Sequence, residues 1–235
     1  MKVLFAIVSC HKNIARRQAI RDTWLPNMKE DYKFFLGKGN TELREDELQL
    51  DVPDEYEGLT AKVQAIFKWA LDRNYDYICK IDDDVYIYPD KLIASDYSKH
   101  HYVGRLNKWK TPLHPKSFLS GFTYWISAYA ARLVVDSPLD PLVTFEDRWV
   151  GGVLGRAGIE GYNDRLYKVM SLFPKHQWYS TIQQNYGALC QFEPDELRFV
   201  HDIATGKVIP PPPPTRAPRQ VTVRNNPKLF RTRRR

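Results

Sequence analysis

Three consecutive carboxylates, Asp82, Asp83 and Asp84, follow directly on the apolar run from Tyr75 to Ile81. That run is short, aromatic and β-branched, which is the composition of a buried strand. Three adjacent charges do not enter such a core unpaired, so the strand ends where they begin. If the extended backbone persists past Ile81, alternation sends Asp82 and Asp84 to one side and Asp83 to the other. Two convergent carboxylates form a hard, oxygen-rich site. It suits Mg²⁺ or Mn²⁺, which rest on one or two carboxylates and complete their shell with water and substrate phosphates. The carboxyl end of a strand in an open α/β sheet is also the usual place for a ligand.

Two other readings of the triplet stand beside this one. One is a solvated acidic turn. The other is a phosphatase of the haloacid dehalogenase type, whose Asp-x-Asp also follows a strand, with Thr or Val where this chain has Tyr86. Further along, Glu146 and Asp147 fall in the first turn of an expected helix, where the helix dipole favours negative charge. A carboxylate there that is not needed for the helix can accept a proton from an incoming hydroxyl. Leu197 to Asp202 reads as a last strand that brings His201 to its end, and an imidazole is an acceptable ligand for Mn²⁺. His114 and His176 compete for that role.

The elements that must carry these groups alternate. Lys2 to Val8 reads as a first strand, and Asn13 to Trp24 as a basic helix with Asn13 as its N-cap. Its arginines either bind phosphate or pair with acids on a solvated face. Tyr32 to Leu36 is a second strand, Glu42 to Glu47 a polar connector and Leu48 to Val52 a short strand. Thr60 to Asp72 places Val63, Ile66, Phe67 and Ala70 on one helical face, Pro89 opens a helix after the triplet, and Ser127 to Val135 forms another. Strands alternating with helices predict an α/β sandwich with a mostly parallel central sheet.

With 235 residues and 43% hydrophobic content, the chain is expected to bury one substantial core. The net charge of +7 is concentrated at one end. From Ile203 onward there are 9 basic residues and no acid, leaving 26 basic against 28 acidic residues before it. The expected division is therefore a folded domain over 1–202 and a Pro- and Arg-rich tail over 203–235. The tail opens on a polyproline II run at Pro210 to Pro214, and either aids solubility or contacts anionic surfaces, acidic partners or nucleic acid. The body itself gives no reason to expect nucleic acid. Cys10, Cys79 and Cys190 are widely spaced and indicate neither a disulfide framework nor a zinc site. No stretch has the length of a membrane span, and with Met1 as the start a soluble, cytoplasmic protein is expected.

Six segments in order resemble the β-1,3-glycosyltransferases of glycosyltransferase family 31. Arg17 to Trp24 resembles Arg-x-x-Ile-Arg-x-Thr-Trp, and Phe35-Leu36-Gly37 a strand-ending Phe-Leu-Gly. Asp54 to Lys62 resembles Asp-x-Tyr-x-Asn-Leu-Thr-x-Lys, with Gly58 in place of Asn. Lys80 to Val85 reproduces Lys-x-Asp-Asp-Asp-Val. Phe118 to Ser127 resembles Tyr-x-x-Gly-x-Gly-Tyr-x-x-Ser with Phe118 for Tyr and Thr123 for the second Gly, and Glu146-Asp147 with Gly151 resembles Glu-Asp-Val-x-x-Gly with Arg148 for Val. These departures fall mainly on the acceptor side.

The resemblance implies the GT-A fold, a nucleotide-sugar-binding sandwich, and a metal-dependent inverting transfer of galactose or N-acetylglucosamine from a UDP-sugar to a glycan hydroxyl, in a β-1,3 linkage. It implies Asp84 as the principal ligand of Mn²⁺ or Mg²⁺, with Asp82 beside it and His201 as a C-terminal ligand. Asp82 and Asp83 would contact the donor or metal-bound water, Ser9, Arg21 and Lys80 would border the nucleotide, and Asp147 would be the general base. Phe122, Tyr124, Trp125 and Trp149 supply either a sugar-stacking platform or core. The alternatives are another GT-A transferase, including a retaining one, and a non-catalytic nucleotide-sugar- or glycan-binding protein.

Overall fold

The computed structural model describes residues 1–107, 118–140, 145–170 and 177–208. Strand β1 (Val3–Val8) is buried at all six positions, as a central parallel strand covered on both faces must be. It is followed by α1 (Ile14–Asp22), β2 (Asp31–Leu36), β3 (Glu47–Gln49), α2 (Leu59–Leu71), β4 (Tyr77–Asp82), β5 (Val85–Ile87) and α3 (Pro89–Ile93). The second half holds β6 (Tyr102–Asn107), β7 (Phe118–Ser127), α4 (Ala128–Val135), α5 (Glu146–Arg156), β8 (Tyr162–Asn163), β9 (Tyr167–Val169), α6 (Trp178–Ile182), β10 (Ala188–Cys190) and α7 (Pro194–Ala204).

Seven strands form one sheet in the order β3-β2-β1-β4-β7-β6-β8. Only β7 runs against the others, pairing antiparallel with both β4 and β6. The expected α/β architecture with a mostly parallel sheet is present. On one face α2, α4 and α5 pack Val63, Ile66, Phe67, Ala131, Val134 and Leu154 against Leu4, Ala6 and Val8. On the other face α1, α7 and a second sheet of order β5-β10-β9 pack against Phe5 and Ile7. The period-2 alternation of β1 therefore feeds two cores at once.

The carboxyl ends of β1 and β4 lie side by side, with Val8 in register with Asp82. Immediately beyond, the chain steps from the large sheet into the small one. The acidic triplet spans that step: Asp82 closes β4 and Val85 opens β5, whose register with β10 is set by Val85 opposite Cys190. Two bonds fasten the far side of the step, from the Phe192 N–H to the Asp84 carbonyl at 3.1 Å and from the Trp24 indole N–H to the Val85 carbonyl at 3.0 Å.

Two sequence expectations are corrected. Leu197 to Asp202 is not a strand but the body of α7, which begins with Pro194 in its first turn and a capping box between Glu193 and Glu196. Its buried residues are Leu197, Val200 and Ile203, a helical spacing rather than an alternating one. Since Ile203 lies in the core and α7 runs to Ala204, the folded body also extends past 202. The polyproline run and most of the basic tail lie outside the described residues, as do His114 and His176. Among the described residues no helix is long and apolar enough to cross a membrane.

Candidate active site

The triplet separates its side chains, though not by strand alternation, because Asp83 and Asp84 form the turn between β4 and β5. Asp83 is buried and turns toward β1 and α1, where it accepts hydrogen bonds from Ser9 Oγ at 2.6 Å, Asn13 Nδ2 at 2.9 Å and Arg16 at 3.3 Å. Asn13 thus ties down a carboxylate and makes no side-chain cap for α1, whose entry is a 3₁₀ turn over His11–Asn13. Asp82 and Asp84 face the open space beyond the sheet edge.

That space consists of two cavities. The first, of about 560 Å³, is lined by Ser9, Lys12, Asn13 and Arg16, by Tyr56 and Lys62, and by all three members of the triplet. The second, of about 510 Å³, is lined by Lys80, Arg105, Gly121, Glu146 and Asp147 among others. Tyr56, Leu59, Asp82 and Asp84 border both, so these residues form the seam between them.

The wall of the first cavity is held by matched charges. Lys62 donates to the Ser9 carbonyl at 2.9 Å and to Asp54 Oδ1 at 2.8 Å, while Asp54 also accepts from the backbone N–H groups of His11 and Gly37, each at 2.6 Å. Burial alone would raise Asp54, but these donors outweigh it and hold the carboxyl below its ordinary range. Of the arginines on α1, only Arg16 lines the cavity. Arg17 donates to Glu47 at 2.8 Å and to the Cys10 carbonyl, and Arg21 grips Asp46 through two bonds of 2.8 and 2.7 Å and Glu47 through one of 2.7 Å. Arg21 therefore lines neither of the two cavities. Glu47, read as part of a polar connector, is buried beneath α1 instead.

The second cavity is built around a buried cation. Lys80, on the central strand β4, has no exposed side-chain surface; its ammonium donates to Asp82 and to the Gly121 carbonyl and lies 3.6 Å from Glu146 Oε2. Burial would lower Lys80, but the charges of Asp82 and Glu146 outweigh it and raise it. Glu146 also accepts a 2.5 Å hydrogen bond from the Tyr124 hydroxyl. Burial, reinforced by Asp147 and opposed by Lys80, pushes its carboxyl up to about 7. Asp147, next on α5, is partly exposed and accepts from the backbone N–H groups of Gly121 at 3.2 Å and Arg148 at 2.8 Å. Its carboxyl is raised, chiefly by burial. The approach is close: a Cβ added at Gly121 would stand 3.2 Å from the Asp147 Cβ and 3.3 Å from Glu146 Oε2, so one of these acids would have to shift by a few tenths of an ångström. Both acids at the start of α5 line the cavity, but Glu146 is buried against Lys80 and Tyr124 while Asp147 is partly exposed.

Asp84 joins the two halves. Among the described residues no ion pair or hydrogen bond reaches its side chain, and burial with the charges of Asp82 and Asp83 pushes its carboxyl up to about 7. A part-buried carboxylate without a cation, next to Asp82, has the chemistry of a divalent-cation site in which ligand phosphates supply the remaining oxygens. These residues fit such an ion. Among the described residues no cluster of three His, Cys, Asp or Glu side chains closes a metal cage, and His201 does not complete one. It lies in the last turn of α7 with its Nδ1 3.1 Å from the Tyr86 hydroxyl, and it lines neither cavity. The strand that would have brought it to the site is a helix.

Of the aromatic candidates, Tyr124, Trp125 and Trp149 are core residues, and only Phe122 reaches the second cavity. The exposed rings at the site are Tyr56, 63% exposed, and Phe145, 44% exposed. Neither was read from the sequence, nor was the joint hold of Asn13 and Arg16 on Asp83, although their spacing of three on a helical entry places them on one face.

The galactosyltransferase family model matches residues 15–112, from α1 through the triplet to the end of β6. Beta-1,3-galactosyltransferase 1 of Mus musculus and of Homo sapiens are each 28% identical to the chain over 203 residues, covering 69% of this chain and 62% of the relative. "Probable beta-1,3-galactosyltransferase 13" of Arabidopsis thaliana is 29% identical over 153 residues, covering 50% of this chain and 44% of the relative. The chain thus spans about three fifths of the mammalian relatives and less than half of the plant one. The resemblance to glycosyltransferase family 31 read from the six segments is supported by these matches.

Proposed function

We propose that this chain, which is similar in sequence to the β-1,3-galactosyltransferases of glycosyltransferase family 31, is a glycosyltransferase that moves galactose from a UDP-sugar to a glycan hydroxyl. The finer reading is a GT-A enzyme that forms a β-1,3 linkage with inversion. One observation carries it: two cavities, one bordered by Arg16, Lys12 and Asn13 and the other by Asp147, meet at Asp82 and Asp84. A donor lying across the seam has its diphosphate among the cations of the first cavity and its sugar facing the second. Asp82 and Asp84 would hold Mn²⁺ or Mg²⁺, which when bound offsets negative charge on the diphosphate.

In the second cavity Asp147 accepts the proton of the acceptor hydroxyl as that oxygen attacks the anomeric carbon. The bond from this carbon to the diphosphate oxygen breaks with its electron pair leaving on UDP, and attack from the face opposite UDP inverts the centre. The backbone N–H groups of Gly121 and Arg148 orient the Asp147 carboxylate. Burial, which raises it, makes it a stronger base than a solvated carboxylate. Asp83 acts through its ties to Ser9, Asn13 and Arg16, keeping the triplet against β1. Lys80 holds Asp82 and Glu146 rather than the nucleotide.

The test is UDP release from a panel of UDP-sugars with glycan acceptors, in Mn²⁺ and in EDTA, followed by NMR assignment of the product linkage. Metal-dependent turnover of UDP-galactose to a β-1,3 product is expected. An α-linked product, or turnover that EDTA leaves unchanged, contradicts the finer reading; failure to bind UDP contradicts the whole.

A further inference from the structure

The second cavity contains a cation that the proposed transfer does not use. Arg105 lies in β6 where its pairing with β7 breaks step, Gly104 facing Tyr124 while Leu106 faces Leu119. Irregularities of this kind re-aim a side chain beside an active site. Arg105 lines the cavity with Asp147, and its guanidinium donates to Ser120 Oγ at 3.3 Å. No carboxylate pairs with it among the described residues, and the stretches 108–117, 141–144, 171–176 and 209–235 contain no Asp or Glu. The contrast with Arg16, Arg17 and Arg21 is plain, since each of those is ion-paired. A guanidinium has five N–H donors in a planar fork that matches two oxygens of an anion, and here one of them is engaged by a hydroxyl. At the mouth, the exposed rings of Tyr56 and Phe145 offer flat apolar faces to a sugar.

We propose that the glycan accepted in this cavity is acidic and carries a carboxylate or sulfate group that Arg105 holds while a neighbouring hydroxyl faces Asp147. This rests on the transfer reading above. An anion entering beside Asp82, Asp84, Glu146 and Asp147 meets repulsion, but Lys80 already neutralises part of that charge. Among the described residues that line the cavity, Arg105 is then the cation left to compensate the incoming group.

The test compares a β-glucuronide and a 6-O-sulfated β-galactoside with a β-glucoside and a β-galactoside as acceptors for UDP-galactose. One anionic acceptor is expected to exceed its neutral counterpart in kcat/KM by roughly ten- to a hundredfold, mainly through KM. Which of the two wins separates carboxylate from sulfate. Arg105→Gln is expected to bring it down to its neutral counterpart, and Arg105→Lys to keep part of the preference. Equal use of anionic and neutral acceptors, an Arg105→Gln loss shared equally by both, or a shift in the choice of UDP-sugar overturns the proposal. Saturation-transfer NMR of the same glycans with UDP bound reads the preference without turnover. Binding preference without transfer counts against the transfer reading alone, and no preference in binding overturns the acidic acceptor.

Discussion

On the first-cavity side of Asp84, charges are matched with partners: Asp83 with Ser9, Asn13 and Arg16, Lys62 with Asp54, Arg17 and Arg21 with Glu47 and Asp46. On the other side Asp82 and Glu146 share one buried ammonium, while Glu146 and Asp147 are both raised. A wall whose charges are satisfied keeps its shape whether or not a ligand is bound. A crowd of carboxylates with too few cations instead holds groups near the pH at which protons move. The first arrangement suits holding a nucleotide; the second suits taking a proton from a hydroxyl. Asp84 sits where the two meet, its carboxyl raised by burial and by the charges of Asp82 and Asp83.

This contrast can be broken at several points. Asp84→Ala removes one of the two carboxylates shared by both cavities. Transfer is expected to fall by at least about a thousandfold, with Mn²⁺-dependent binding of UDP lost in calorimetry; retained Mn²⁺-dependent binding would place the ion elsewhere. Lys80→Met leaves Asp82 and Glu146 facing each other without their ammonium. Chemical denaturation is expected to show a loss of about 3–5 kcal/mol, and a near-neutral result would mean that those carboxyls are protonated in the fold.

Glu47→Gln tests the matched side. Burial raises this carboxyl, but hydrogen bonds from Arg21 and Arg17 outweigh it and hold Glu47 below its ordinary value. A depressed carboxylate stabilises the fold fully above its unfolded pKa of about 4.3 and loses that contribution as pH falls through the lower folded value. The variant is therefore expected to be less stable by about 3 kcal/mol at neutral pH, with the gap to the parent narrowing in acid. A gap that widens in acid would reverse the sign of the argument. The smallest effect is expected for Ser9→Ala, about 1 kcal/mol in denaturant, because Asp83 keeps Asn13 and Arg16.

Much of this was legible in the chain. The apolar face of α2, a helix over Ser127 to Val135 and the placement of Glu146 and Asp147 in the first turn of α5 follow from local spacing, and the structure has all three, with Ser127 as the cap of α4. The split of Asp83 from Asp82 and Asp84 was expected from strand alternation, but it arises in the turn between β4 and β5. What escaped was decided by remote partners. Arg21 looks like a phosphate ligand until Asp46 and Glu47 arrive at the start of β3, and Arg105 lies at an irregularity between β6 and β7. His201 was misplaced for a local reason: Leu197, Phe199 and His201 fit a strand, while Leu197 and Val200 fit a helix. The capping box at Glu193 and Glu196 favours the second.

The most direct test is Asp147→Asn, with UDP-galactose binding and transfer measured side by side. The variant keeps the shape of the side chain but cannot take the proton. Binding is expected to match the parent while transfer falls about 10²–10⁴-fold. If Asp147→Asn transfers galactose at the parental rate, the base is another group and the division of labour across Asp84 is wrong.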